Sequence, residues 1–145
     1  MAIVAVCKVL KNVSAASDAF KALDHPLLER SRELLLRLFK VLPREGKTPS
    51  SAGVLMNGAM EISGGLAQAL GVGLNDDDDE FSAGLAVVQL KRSLRGAAFA
   101  LGALFPLKAD GVIDKGLFDE LYATLKGLEG EIYAELRRRQ ARETE

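Results

Sequence analysis

The sequence predicts an all-α fold: an up-and-down four-helix bundle with an additional short N-terminal helix. Three observations carry this. Apolar residues recur at helical spacing along most of the 145-residue chain. No alternating strand run bounded by hairpin turns interrupts them. The breaks between periodic segments are short, which sets successive helices antiparallel.

Taken in order, Ile3, Val6, Cys7, Leu10 and Val13 follow the i, i+3, i+4, i+7 pattern of an amphipathic helix, placed over 1–23. Asp24-His25-Pro26 then reads as an N-cap and first-turn residues. The helix it opens carries Leu27, Leu28, Leu34, Leu35, Leu38, Val41 and Leu42 and stops at Pro43, which cannot continue it without losing a hydrogen bond. After the loop 43-PREGKTPS-50, Thr48-Pro49 is a cap with proline at the first helical position. The next helix carries Val54, Leu55, Ile62, Leu66 and Leu70, with small residues at Gly53, Gly58, Ala59, Ser63, Gly64 and Gly65. Each glycine weakens a helix by up to ~1 kcal/mol relative to alanine, so a close neighbouring backbone or a bend is expected there. The segment ends at 71-GVG-73, a C-cap signal.

Asn75 or an early Asp of 76-DDDDE-80 then caps a helix through Leu85, Val88, Leu94, Ala98, Leu101 and Leu104 that stops at Pro106. The last helix starts near Asp114 and carries Leu117, Phe118, Leu121, Leu125, Leu128, Ile132 and Leu136. The expected organisation is one domain over 1–145, with a four-helix core over 24–136. The run 137-RRRQARETE-145 is expected to be a charged, mobile tail.

Composition sets limits on function. Hydrophobic residues make up 48% and charged residues 27%, a globular balance with room for a real core. With Cys7 as the one cysteine, no intrachain disulfide can form, and a cytoplasmic location is the default. The apolar N-terminus has no basic run before it, is interrupted by Lys8 and is too short to cross a bilayer, so neither a signal peptide nor a membrane partner is expected. Net charge is −1, but it is unevenly spread. Residues 1–50 hold nine Lys/Arg against five Asp/Glu, residues 51–90 hold six acids and no Lys or Arg, and residues 91–145 hold ten against nine. Strong non-specific nucleic-acid binding is disfavoured, while a local basic face remains open.

The stretch 108-KADGVIDKGLFDEL-121 looks like part of a calcium loop. With Gly111 at loop position 6, however, positions 1, 3 and 12 fall on Pro106, Lys108 and Leu117. The outer ligands are gone. Asp110-Gly111 reads better as a turn and Asp114 as a helix cap, with Asp119 and Glu120 near the positive helix end. The acids 76–80 diverge along one turn and suit a solvated cap better than a cation site. His25 is the single histidine, which excludes a His-paired metal site. No P-loop occurs, and 71-GVGLN-75 is not a dinucleotide loop. Neither cofactor nor catalytic residue is expected.

The candidate binding residues are basic: Arg37, Lys40, Arg44 and Lys47 on and beyond the first core helix, Lys91, Arg92 and Arg95 on the third, and Arg137, Arg138 and Arg139 at the C-terminus. Their ordinary role is a solvated helix face; their functional role is phosphate contact. No aromatic residue interleaves with them, so base stacking is not implied.

The helix RELLLRLFKVLP (32–43), the small-residue helix EISGGLAQALG (61–71), Ser93-Leu94 within LKRSLRGAAFAL and the closing FDELYATLKGLEGEIYAELRR together resemble the four-helix bundles of the ribosomal intervening-sequence protein family. The accessory variability proteins of diversity-generating retroelements are similar to those bundles. Where the family has Asn-Ile-Ala-Glu-Gly, this chain has Gly65-Leu66-Ala67-Gln68-Ala69. The resemblance implies a ring-forming, non-enzymatic protein that binds nucleic acid or a reverse transcriptase. The expectation is therefore a self-associating helical interaction protein, an accessory that contacts RNA, DNA or a nucleic-acid enzyme through basic helix faces. Alternatives are a small helical subunit of a CRISPR-type effector complex, a viral coat protein, or a nucleotide- or cofactor-binding helical enzyme. For the last, MNGAMEISGGLA (56–67) is similar to a helix of cobalamin adenosyltransferases.

Overall fold

The computed structural model of the chain describes residues 25–43, 50–71 and 80–143. Four helices account for nearly all of them: α1 (Pro26–Val41), α2 (Ser50–Gly71), α3 (Glu80–Ala109) and α4 (Lys115–Glu143). Among the described residues there is no strand. The helix expected over 1–23, the cap at Thr48-Pro49 and the acidic cap at 75–79 lie outside them.

Proline and its neighbour set the start of α1. The ring of Pro26 keeps the preceding residue out of the helical region, so His25 is extended (φ −65°, ψ 131°). His25 is thus the N-cap, where the sequence suggests Asp24. Its Nδ1 accepts a hydrogen bond from the Leu27 N–H at 3.2 Å, which satisfies an end group and holds the imidazole in a structural role. Val41 ends the helix two residues before Pro43, as expected.

Pro106 does not end α3, contrary to the sequence expectation. The helix continues to Ala109. An interior proline costs about 3 kcal/mol, but here the turn beyond it buries Leu107 completely and regains a hydrogen bond from Asp110 N–H to the Pro106 carbonyl at 2.9 Å. The helix then stops by a Schellman motif: Gly111 N–H donates to the Lys108 carbonyl and Val112 N–H to the Leu107 carbonyl. Gly111 is left-handed at φ 73°, a conformation glycine adopts without strain. Three residues later Asp114 Oδ1 accepts from Leu117 N–H at 2.7 Å and caps α4. Ile113 and Phe118, both buried, occupy the two positions of a hydrophobic staple. The calcium-like stretch is therefore a tight helix stop followed by a helix start, and Asp114 serves the chain's own backbone.

The helix order around the bundle is α1, α2, α3, α4, each packed on the next and α4 closing on α1, with no diagonal contacts. Cross-bundle partners run in opposite senses: Ser31 with Ser63, Gly58 with Gly96, Phe105 with Phe118, and Arg37 with Glu120. Every neighbouring pair is antiparallel. Leu38, Leu55, Ile62, Leu66, Leu90, Leu104, Leu121, Leu125, Leu128 and Ile132 are fully or almost fully removed from water between the helices.

The α2–α3 pair is the closest, and its small residues explain why. A carbon added at Gly58 would lie 2.6 Å from the Gly96 carbonyl oxygen, and one added at Gly96 would lie 2.6 Å from the Gly58 carbonyl oxygen. At Gly65 it would collide with Ser93 Oγ and lie 2.5 Å from the Gln89 carbonyl oxygen. Only backbone fits at these crossings. Ser93, completely buried, uses the closeness to donate to the Ile62 carbonyl at 3.0 Å. Gly53, in contrast, faces open space, and Gly64 sits beside the Arg92 guanidinium. The glycines of α2 thus divide into two that the packing demands, Gly58 and Gly65, and three that it does not, Gly53, Gly64 and Gly71.

The C-terminal run is not a loose tail. α4 continues to Glu143, since Leu136 is still buried in the core and Arg138 and Arg139 both bond to Glu135, one turn back.

Gly96→Leu should lower unfolding free energy by about 1–3 kcal/mol or more, the range for overpacking a tight core. Gly53→Ala, in open helical space, should raise it by up to ~1 kcal/mol. Urea denaturation of both variants checks the pair. Equal effects would contradict the close α2–α3 crossing.

Candidate interaction face

α3 carries two stripes. One is the core stripe of Ala86, Val87, Leu90, Ser93, Ala97, Ala100 and Leu104, all buried. The other comprises Phe81, Leu85, Val88, Arg92, Arg95 and Phe99, spaced at 4, 3, 4, 3 and 4 residues. That alternation keeps six side chains along one seam of a helix. Its apolar members face solvent: Phe81 is 77% exposed, Val88 58%, Phe99 58% and Leu85 43%. Of the residues by which the sequence traces this helix, Leu85, Val88 and Ala98 are thus exposed, and Leu101 and Leu104 are buried. Val54, among the apolar residues by which the sequence traces α2, is likewise 42% exposed. Val54 lies two turns before Glu61, and Phe99 two turns after Arg92. Since Arg92 is paired to Glu61, both belong to the same side of the bundle, where α2 meets α3.

Glu61 organises the middle of this face. Its carboxylate accepts from Arg92 Nε at 2.6 Å and lies 3.7 Å from Arg95 Nη2. Arg92 also donates to Gln89 Oε1. The Arg92 hydrogen bond, with the two positive charges, holds the Glu61 carboxyl below its ordinary range despite the opposing effect of desolvation. The result is a charged centre flanked by apolar residues toward both ends of α3. Large exposed apolar side chains grouped on one face mark an interaction surface more often than isolated ones do.

The basic candidates do not converge. Arg37 makes a two-pronged bond to Glu120 on α4, at 3.1 and 3.2 Å, and Arg30 pairs with Glu131 further along the same seam. That seam, α1 against α4, is across the bundle from the α2/α3 face. Lys40 is exposed in the last turn of α1. Arg44 and Lys47 lie outside the described residues. Lys91 is exposed, one turn before Arg95. Arg137 lies over the Tyr133 ring at 4.6 Å. Arg138 and Arg139 converge on Glu135, a mostly buried carboxylate. Burial acts to raise that carboxyl, but the hydrogen bonds from the two arginines prevail and lower it. Five of the candidates, Arg37, Arg92, Arg95, Arg138 and Arg139, therefore already neutralise a carboxylate. A phosphate would have to compete with it.

The described residues contain no group of three or more His, Cys, Asp or Glu positioned to hold a metal ion. No described helix is long and apolar enough to cross a membrane.

The second stripe of α3 was readable in the sequence as a heptad pattern offset from the core pattern. What hid it was the apolar character of both: α3 has large residues on two faces, and spacing alone does not say which is inward.

No protein-family model, curated protein or solved structure matches the chain.

Because Glu61 is lowered in the folded protein, its contribution to stability is complete above the ordinary carboxylate range and is lost as pH falls into and below that range. Glu61→Gln should therefore flatten the acid limb of a stability-versus-pH curve, with little change in its slope above pH ~6. Thermal melts across acid pH check this. An unchanged acid limb would mean that the pair does not stabilise the fold.

Proposed function

We propose that the protein is a non-enzymatic helical interaction module that self-associates through the α2/α3 face. The observation that supports this best is the line of Phe81, Leu85, Val88 and Phe99, exposed along one seam of the longest helix. A second copy offers the same seam, and a two-fold interface needs one self-complementary patch. The paired charges of Glu61, Arg92 and Arg95 would fix register and orientation in its middle, a role that charged groups perform better than they supply affinity.

The charge pairing bears on the accessory role at nucleic acid. Arg37, Arg138 and Arg139 are engaged in bracing helices. Lys91, exposed beside the apolar seam, is the candidate best placed to reach a phosphate. Contact with RNA, DNA or a nucleic-acid enzyme would follow assembly, which sets this cation from several copies side by side.

Size-exclusion chromatography with light scattering, recorded at 260 and 280 nm, tests both statements. The wild-type protein should run as a discrete oligomer, and the Phe81→Ser/Phe99→Ser double variant as the 15.5 kDa monomer with unchanged helical content. A wild-type monomer at every concentration overturns self-association. Excess 260 nm absorbance that is lost in Lys91→Glu, with the oligomer retained, would support the nucleic-acid contact, and its absence from the wild-type peak would count against it.

A further inference from the structure

The seam of Phe81, Leu85, Val88, Arg92, Arg95 and Phe99 is symmetric about residue 90: position 81 pairs with 99, 85 with 95 and 88 with 92. A second copy running the opposite way therefore meets it position for position. The chemistry is arranged to use this. Exposed phenylalanines stand at the two ends. Between them, one half of the seam is aliphatic (Leu85, Val88) and the other is cationic (Arg92, Arg95).

We propose that two copies pack α3 against α3, antiparallel, about a two-fold axis at the level of Leu90. The proposal rests on the self-association argued above and adds its geometry. In this register Phe81 of each copy meets Phe99 of the other, and Leu85 and Val88 lie against Arg95 and Arg92. The two guanidinium groups share the Glu61 carboxylate, at 2.6 and 3.7 Å. Their methylene stems therefore cover the aliphatic half without leaving an unpaired charge at the contact. Like charges set against each other across an interface rule out the alternatives. A parallel pair places Arg92 on Arg92 and Arg95 on Arg95. An antiparallel pair with its axis between residues 93 and 94 places Arg92 on Arg95 twice. An axis between residues 86 and 87 carries Phe99 to the level of position 74, before α3 begins at Glu80, and removes its apolar partner. Only the axis at residue 90 joins both phenylalanines and sets no arginine directly opposite another. It also stands the two copies of Lys91 side by side on one flank of the axis, which is where the phosphate contact proposed above would be made.

Spin labels read this geometry in the full-length protein without altering the seam. Gly84 and Gly102 lie on α3 outside the six seam positions, and a side-chain carbon at either meets nothing within 4 Å. With the single cysteine removed by Cys7→Ser, G84C and G102C each carry one nitroxide per copy. At a rise of about 1.5 Å per residue, the axis at residue 90 separates the two labels of a dimer by about 18 Å along the helix at position 84 and about 36 Å at position 102. Double electron–electron resonance should return these two distances, differing by about 18 Å. Two equal and short distances would mean a parallel pair. Two nearly equal distances around 27 Å (about 28 and 26 Å along the helix) would move the axis to between residues 93 and 94, and a difference of about 39 Å would move it to between 86 and 87. Each of these patterns overturns the proposed register and leaves self-association standing. A wild-type protein that is monomeric at every concentration overturns self-association itself, and the register with it.

Discussion

The closeness of α2 and α3 is the constraint on which the rest of the bundle depends. Gly58 and Gly96 meet backbone to backbone, and Gly65 makes room for Ser93. With no side chain between them, the two helices form a compact pair that buries alanine as effectively as leucine: Ala59, Ala69, Ala97 and Ala100 are completely buried. The larger leucines then point across to α1 and α4, which pack on this pair from one side. Glycines weaken each helix in isolation, so the pair is held by tertiary contact. The buried hydroxyl of Ser93 on the Ile62 carbonyl adds a polar link where the backbones are close enough to permit one.

The closeness also explains the outer faces. Helices that approach this tightly cannot bury the residues flanking the crossing. Val54 on α2, and Leu85, Val88 and Phe99 on α3, are therefore left at the margin of the contact, 42–58% exposed. The same geometry brings Glu61 within reach of both Arg92 and Arg95. An apolar seam with a charged centre is thus a direct consequence of how the core is packed. At the α1–α4 seam the balance differs. There Arg30 and Arg37 bridge to Glu131 and Glu120, and polar pairs cover the margin that apolar residues occupy on the opposite side.

Helix ends in this chain are governed by short-range chemistry that the sequence states openly, with one exception. His25 before Pro26, Leu42 before Pro43, the Schellman turn at Gly111 and the Asp114 cap are all local. Pro106 is the exception. A proline reads as a stop, yet the turn that follows it holds Leu107 in the core, and burial outweighs the missing hydrogen bond. The end of α4 shows the same competition: a run of arginines reads as a loose tail, but buried Leu136 and the half-buried Glu135 keep it helical.

The sequence by itself determined the helices, their number within the core, their antiparallel order and most of the inward residues of α1 and α4, because period and caps are local properties. It also marked α2 as a helix whose glycines call for either a close neighbouring backbone or a bend. Only the tertiary structure decided which glycines are demanded, which of the two apolar stripes of α3 faces inward, and which cations are already paired. Those outcomes depend on the partner lying across each helix. Gly58 and Gly53 are alike in sequence and differ only in what stands opposite them. The basic candidates failed to merge into one surface for the same reason: the bundle sets Arg37 on the α1–α4 seam and Arg92 and Arg95 on the α2/α3 face, and five of the candidates sit beside a carboxylate.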